Sequence, residues 1–156
     1  MRLVVLTLLL VLSIAPVSAA EVEFLRVWPS WRDADAFDRI AEYFGGRENF
    51  GRQVVLRTQP DTRAGYYFLV RVKSATALAS SKFEVTVIRP DHPEPKVFRF
   101  DVAIPGKETV YQLGLTGSDW PAGDKANPVA WKLALVGADG NVLAEQKSFL
   151  WEKPGK

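Results

Sequence analysis

The sequence predicts a mostly β protein, a single antiparallel β-sandwich of about seven to nine strands. Apolar and polar residues alternate in short runs along most of the chain, and Gly, Pro, Asp and Ser separate these runs roughly every eight to twelve residues. No strand-like run is followed by a long helix and a second strand, as a parallel sheet would require. The last run folds back around Ala138, Asp139 and Gly140, a sequence typical of a tight hairpin loop.

Residues 1–20 are predicted to form a secretory signal peptide. Arg2 gives a positive start, residues 3–12 are apolar apart from one threonine, and small residues precede the expected cleavage site after Ala19 or Ala20. We therefore expect export to the periplasm or the extracellular medium. No cysteine follows the apolar run, so a lipid-anchored lipoprotein is excluded.

The remaining residues, 21–156, are enough for one domain with its own core. The 20 Lys and Arg side chains nearly balance the 18 Asp and Glu side chains. No basic run exceeds two residues, so nothing indicates nucleic-acid binding. The chain has no cysteine, so the core must suffice without disulfides, as in many bacterial exported proteins. After the signal peptide, no apolar run is long enough to span a membrane.

The first strand is predicted at residues 22–28, with Pro29 ending it. Strict alternation places Trp28 on the same apolar face as Val22, although Arg26 interrupts that face.

An amphipathic helix is predicted at about residues 31–44. Ser30 is a suitable N-cap, and Gly45 with Gly46 would end the helix. Apolar residues recur every three or four positions along one face: Trp31, Ala34, Phe37, Ile40 or Ala41, and Phe44.

Further strands are predicted near residues 53–58, 66–73, 83–88, 97–102 and 108–115, followed by the hairpin of residues 128–151. A three-residue hairpin loop would place Leu135 opposite Leu143 and Trp131 opposite Lys147. A two-residue turn would instead put Trp131 beside Ser148. The longer loop matches more apolar residues, but it leaves charged residues of the last strand on the apolar face, as a strand at a sheet edge or under the helix could tolerate.

In layout, residues 50–151 resemble the immunoglobulin-like and fibronectin-III-like β-sandwich domains of exported bacterial proteins. The resemblance consists of strand spacing and alternation, and the Cys…Trp…Cys pattern of true immunoglobulin domains is absent. It therefore implies a fold and carries over no functional residue.

No catalytic residue, metal site or cofactor is predicted. The single histidine, His92, lies between Asp91 and Glu94 in a proline-rich segment, where turn geometry accounts for these residues better than a weak metal site does. Asp35 and Asp38 would lie at the positive end of the predicted helix, where solvated acids are common.

The candidate binding residues are aromatic and charged side chains in or near loops: Trp120, Asp119, Tyr67, Arg57 and Arg63. An exposed Trp120 beside acidic groups could stack on a sugar or a peptide, and the alternative is a buried anchor at one end of the sandwich. The two arginines and Tyr67 could form a small polar site or part of a solvated sheet face.

The function expected is that of an exported, non-catalytic interaction module in the bacterial envelope or medium, with a protein or glycan partner. One alternative is a carbohydrate-binding module that uses Trp120 and Tyr67. Another is a hydrolase that uses loop carboxylates such as Asp61, Asp119 and Asp124.

Overall fold

A computed structural model describes residues 22–38, 52–121, 123–124 and 126–152. It contains eight strands: β1 Val22–Arg32, β2 Gln53–Arg57, β3 Gly65–Ser74, β4 Leu78–Arg89, β5 His92–Ile104, β6 Thr109–Thr116, β7 Ala130–Gly137 and β8 Val142–Lys147. The predicted signal peptide lies outside the described residues.

The strands form two four-stranded sheets, which confirms the predicted mostly β sandwich. The first sheet has the order β1-β3-β6-β2, and the second has the order β5-β4-β7-β8. All neighbouring strands are antiparallel except β2, which runs parallel to β6. In this sheet β2 is adjacent to neither β1 nor β3, its neighbours in the chain, so no hairpin forces it to run antiparallel to β6.

The core lies between the inner faces of the two sheets. The first sheet contributes alternate residues such as Phe68, Val70 and Leu113, and the second contributes residues such as Phe83 and Leu133, all with no exposed surface. This alternation follows from the pleat, which points successive side chains to opposite faces.

A β-bulge in β1 corrects the predicted first strand. Phe24 pairs with Val72 but Arg26 pairs with Arg71, so Leu25 is an extra residue that reverses the alternation beyond it. The strand also continues through Pro29, whose missing N–H is tolerated because β1 is an edge strand.

The predicted helix at residues 31–44 is not supported. Trp31 and Arg32 belong to β1, where Trp31 pairs with Tyr66, and only Ala34–Phe37 forms a single 3₁₀ turn. Pairing with β3 outweighs the weak helical periodicity of this segment. Residues 39–44 lie outside the described residues.

The β7–β8 hairpin has the predicted three-residue loop. Gly140 has φ 82°, the backbone N–H of Gly137 donates to the carbonyl of Asn141 at 2.9 Å, and residues 138–140 close the turn. The register beyond the loop differs from the prediction, because Leu135 pairs with Ala144 while Val136 pairs with Val142. Leu143 is therefore a bulge residue.

The bulge at Leu143 explains the charged residues of β8. Glu145 moves to the outer face, where its carboxylate lies 2.8 Å from the ammonium of Lys147 and 4.0 Å from that of Lys132. The bulge also brings Trp131 opposite Ser148, whose hydroxyl accepts a hydrogen bond from the backbone N–H of Trp131 at 2.9 Å.

A short helix, α1 Phe149–Glu152, follows β8. Among the described residues, no helix is long and apolar enough to cross a membrane.

Candidate functional site

Tyr67 and Arg57 come together on the outer side of the first sheet. The guanidinium of Arg57 donates to the Tyr67 hydroxyl at 2.8 Å, and that hydroxyl donates to the carbonyl of Arg63 at 2.6 Å. Phe37 covers the Tyr67 ring with a centroid separation of 4.7 Å, and Tyr67 is fully buried. The cluster therefore fixes the loop after β2 and offers no ring surface for a ligand.

Charged side chains also hold this cluster together. The guanidinium of Arg57 lies 4.8 Å from the centre of the Phe37 ring, and Arg63 forms an ion pair of 2.7 Å with Asp38. These contacts hold the 3₁₀ turn of Ala34–Phe37 against the sheet. The arginines that the sequence analysis selected thus have structural partners.

Trp120 is a buried anchor, the alternative role considered from the sequence. Only 2% of its surface is exposed, its ring lies 4.7 Å from that of Tyr66, and its indole N–H donates to the carbonyl of Gly123 at 3.2 Å. Burial also raises the pKa of Tyr66. Trp120 closes one end of the sandwich, so it cannot stack on a sugar.

Two of the acidic candidates form ion pairs. Asp119 pairs with Lys96 at 2.9 Å, and Asp91 pairs with Arg89 at 3.2 Å. His92 is exposed at the start of β5. In the described part of the chain, no three His, Cys, Asp or Glu side chains are grouped as metal ligands would be.

A shallow groove on the outer face of the first sheet brings together residues that the sequence analysis did not select. We call it the Trp28 groove; its volume is about 170 Å³ and its lining residues are Arg26, Trp28, Gln53, Leu69, Arg71 and Val110. These residues come from all four strands of the sheet. Two bordering strands, β1 and β3, place Trp28 opposite Leu69 and Arg26 opposite Arg71.

Trp28 is the most exposed tryptophan in the described part of the chain. Its exposed fraction is 54%, and the guanidinium of Arg26 lies 4.4 Å from the centre of its ring. A stacked guanidinium holds the indole in place through a cation–π contact and leaves the N–H groups at its rim available to a ligand.

The groove is rich in hydrogen-bond donors. Arg26 has no carboxylate partner among the described residues, whereas Arg71 makes a loose and exposed contact of 3.5 Å with Glu108. Gln112 donates to the side-chain carbonyl of Gln53, which leaves the amide nitrogen of Gln53 as a donor. Two guanidiniums and an amide N–H₂ around an apolar floor favour a ligand with oxygen acceptors and a negative charge.

The sequence contained one signal of this groove. Arg26 interrupts an otherwise apolar face in strict alternation, and a charged residue inside such a face indicates a bulge. If the alternation of inner and outer side chains is shifted by one residue after Leu25, Arg26 and Trp28 both fall on the solvent side of the strand. The contributions of β2, β3 and β6 depend on strand order, which alternation does not reveal.

No family model, curated protein or solved structure matches this chain.

Proposed function

We propose that this chain is an exported, non-catalytic β-sandwich module that binds a carboxylate-bearing ligand in the Trp28 groove. The observation that carries the proposal is the 54% exposure of Trp28, whose ring lies 4.4 Å under the Arg26 guanidinium. An exposed indole beside a guanidinium offers a ligand both a flat apolar surface and hydrogen-bond donors.

Strand order supports the immunoglobulin-like or fibronectin-III-like form of the sandwich. In those folds the chain crosses from its second strand to the other sheet, returns to the first sheet, and then ends with two strands in the other sheet. Here the chain passes from β3 to β4 and β5, back to β6, and then to β7 and β8. β2 is an addition to that plan, beside β6.

The favoured ligand is an acidic glycan containing uronic acid. An indole face suits the apolar face of a sugar ring, the Arg26 and Arg71 guanidiniums suit a carboxylate, and the amide of Gln53 suits a hydroxyl. This keeps the carbohydrate-binding alternative but moves it from Trp120 and Tyr67, which are buried, to Trp28.

A second candidate ligand is an acidic segment of a protein, which the same two arginines would also attract. An acidic peptide would bind through the charge of the two arginines, and it would gain less binding energy than a sugar ring from contact with the flat indole. The hydrolase alternative has less support, because Asp119, one of its three loop carboxylates, pairs with Lys96 rather than with a second carboxylate.

The experiment is a binding panel that separates these ligands. The purified protein is tested against immobilised uronate glycans, the matching neutral glycans and acidic peptides. We expect binding to the uronate glycans alone, lost in Trp28→Ala and in Arg26→Gln/Arg71→Gln. The matched control is Trp151→Ala, which alters a partly exposed tryptophan near the second sheet.

The outcomes discriminate between the candidates. Equal binding of neutral and acidic glycans would show that the two arginines do not recognise a carboxylate. Binding of acidic peptides alone would favour the protein partner. Binding that survives Trp28→Ala but is lost in Trp151→Ala would exclude the groove.

A further inference from the structure

β5 is a long, regular strand at the edge of the second sheet. From Lys96 to Val102 it pairs with β4 without a bulge, and its other side has no strand partner within the described part of the chain. The other edge strands are less suited to pairing. β1 has a bulge and a proline, β2 has five residues, and β8 has a bulge.

The segment of β5 that can accept a new strand is symmetric about Phe100. Pro95 and Pro105 bound the proline-free run Lys96–Ile104, and each proline is five positions from Phe100. Proline cannot donate to a strand ladder, so these two residues set the limits of any pairing along this edge.

We propose that β5 pairs antiparallel with β5 of a second copy of this chain, with Phe100 at the two-fold axis. In this register Arg99 lies opposite Asp101 of the second copy, and the contact occurs twice. The two second sheets become one continuous eight-stranded sheet, since a two-fold axis perpendicular to the sheet keeps both inner faces on the same side.

The outer face supports this register by its charges. Within one copy, Arg99 already bonds to Glu84 at 2.9 Å, and Asp101 lies opposite Lys82. Adding the second copy extends this alternation of charge across the interface, from Glu84 to Arg99 to the opposite Asp101. Opposite charges facing one another across strands stabilise the pair, whereas like charges destabilise it.

The inner face is compatible with the same register. Phe98, which is 7% exposed, would lie opposite Val102 of the second copy, and Phe100, which is 6% exposed, would lie opposite its own equivalent. On the outer face Val97, which is 40% exposed, would be covered opposite Ala103. Apolar residues thus meet apolar residues at these positions.

The adjacent registers are disfavoured. Centring the pair on Arg99 or on Asp101 places that charged residue opposite its own equivalent. Centring it on Phe98 places Pro95 inside the ladder, opposite Asp101. Charge and proline positions therefore select the Phe100-centred register.

The first sheet is not part of this interface, so the proposal is independent of the ligand proposed for the Trp28 groove. Because the two first sheets would lie on the same side of the dimer, both grooves would face the same way. A polymeric ligand could then occupy two grooves at once and gain avidity.

The test is sedimentation velocity of the purified protein over a range of concentrations, with charge variants in β5. We expect the unaltered protein to form a reversible dimer with a Kd below about 100 μM. Arg99→Asp and Asp101→Arg each replace two attractive pairs with two repulsive ones, so each should raise the dimer Kd by about tenfold or more.

The double variant Arg99→Asp/Asp101→Arg restores opposite charges across the interface and should recover the dimer. The two substituted side chains repel Glu84 and Lys82 within each copy. This repulsion is the same in the monomer and in the dimer, so it does not change the Kd. The matched control is Glu145→Arg, a charge reversal on β8 at the other edge of the same sheet, and it should leave the Kd unchanged.

Cross-linking tests the register separately, because the chain has no cysteine of its own. An oxidised mixture of Arg99→Cys and Asp101→Cys proteins should form a covalent dimer faster than either variant alone. An unaltered protein that remains monomeric at about 100 μM would overturn the proposal. A dimer insensitive to both single reversals, or one weakened equally by Glu145→Arg, would also overturn it.

Discussion

Trp28 and Trp120 have opposite environments, and the difference determines what each ring can do. Trp120 is 2% exposed and packs against Tyr66, so it contributes to stability. Trp28 is 54% exposed and its ring lies beside the Arg26 guanidinium, so it contributes less to the core. We therefore assign Trp120 to the stability of the fold and propose Trp28 for binding.

Replacing each tryptophan with alanine should give unequal losses of stability. Trp120→Ala leaves a cavity and an unpaired carbonyl at Gly123, and it should lower the free energy of unfolding by about 3–5 kcal/mol. Trp28→Ala should cost less than about 1.5 kcal/mol, since half of the ring is already in water. Urea unfolding followed by circular dichroism measures both, and equal losses would contradict the two assignments.

Asp139 in the β7–β8 loop should show a depressed pKa in an NMR carboxyl titration. Its carboxylate accepts hydrogen bonds from the backbone N–H of Asn141 at 3.1 Å and from the side-chain amide of Asn141 at 2.6 Å, and these bonds lower the pKa of Asp139. Asn141→Ala removes only the second bond, so the pKa should rise part of the way to its usual value.

The sign of the pH effect follows from that depression. A folded-state pKa below the unfolded value means that the Asp139 carboxylate stabilises the hairpin above the unfolded pKa, and that this stabilisation is lost as the pH falls through the folded pKa. A pKa of Asp139 at or above the usual aspartate value would show that the loop bonds do not form.

At the level of the element, two bulges decide which side chains reach the solvent. Leu25 in β1 places Arg26 and Trp28 on the outer face, and Leu143 in β8 does the same for Glu145. Each bulge inserts one residue, and because the side-chain period of a strand is two, one residue reverses every face beyond it.

Paired cysteines can test the β8 bulge. In the bulged register Ala134 lies opposite Glu145, so Ala134→Cys/Glu145→Cys should oxidise readily to a disulfide. The matched control is Ala134→Cys/Ala144→Cys, the pair that an unbulged strand would bring together. Faster oxidation of the control, measured by thiol titration, would contradict the bulge at Leu143.

For the molecule as a whole, the sequence predicted the sandwich but not its outer surfaces. The number of strands and the hairpin loop with Gly140 follow from alternation and turn residues, which are local properties. Strand order, the parallel placement of β2 and the Trp28 groove depend on contacts between residues far apart in the chain. The helix prediction was wrong because the pairing of Trp31 with Tyr66 outweighs the local helical periodicity.

The most direct test of the central claim, that the outer face of the first sheet binds the ligand, is an NMR titration of ¹⁵N-labelled protein with a galacturonate trisaccharide. We predict saturable shifts of the Trp28 indole N–H and of the backbone amides of Arg26, Leu69 and Arg71, with the Trp120 indole N–H unaffected. The claim would be contradicted if these signals stayed fixed up to about 10 mM trisaccharide, or if the shifts mapped to the second sheet instead.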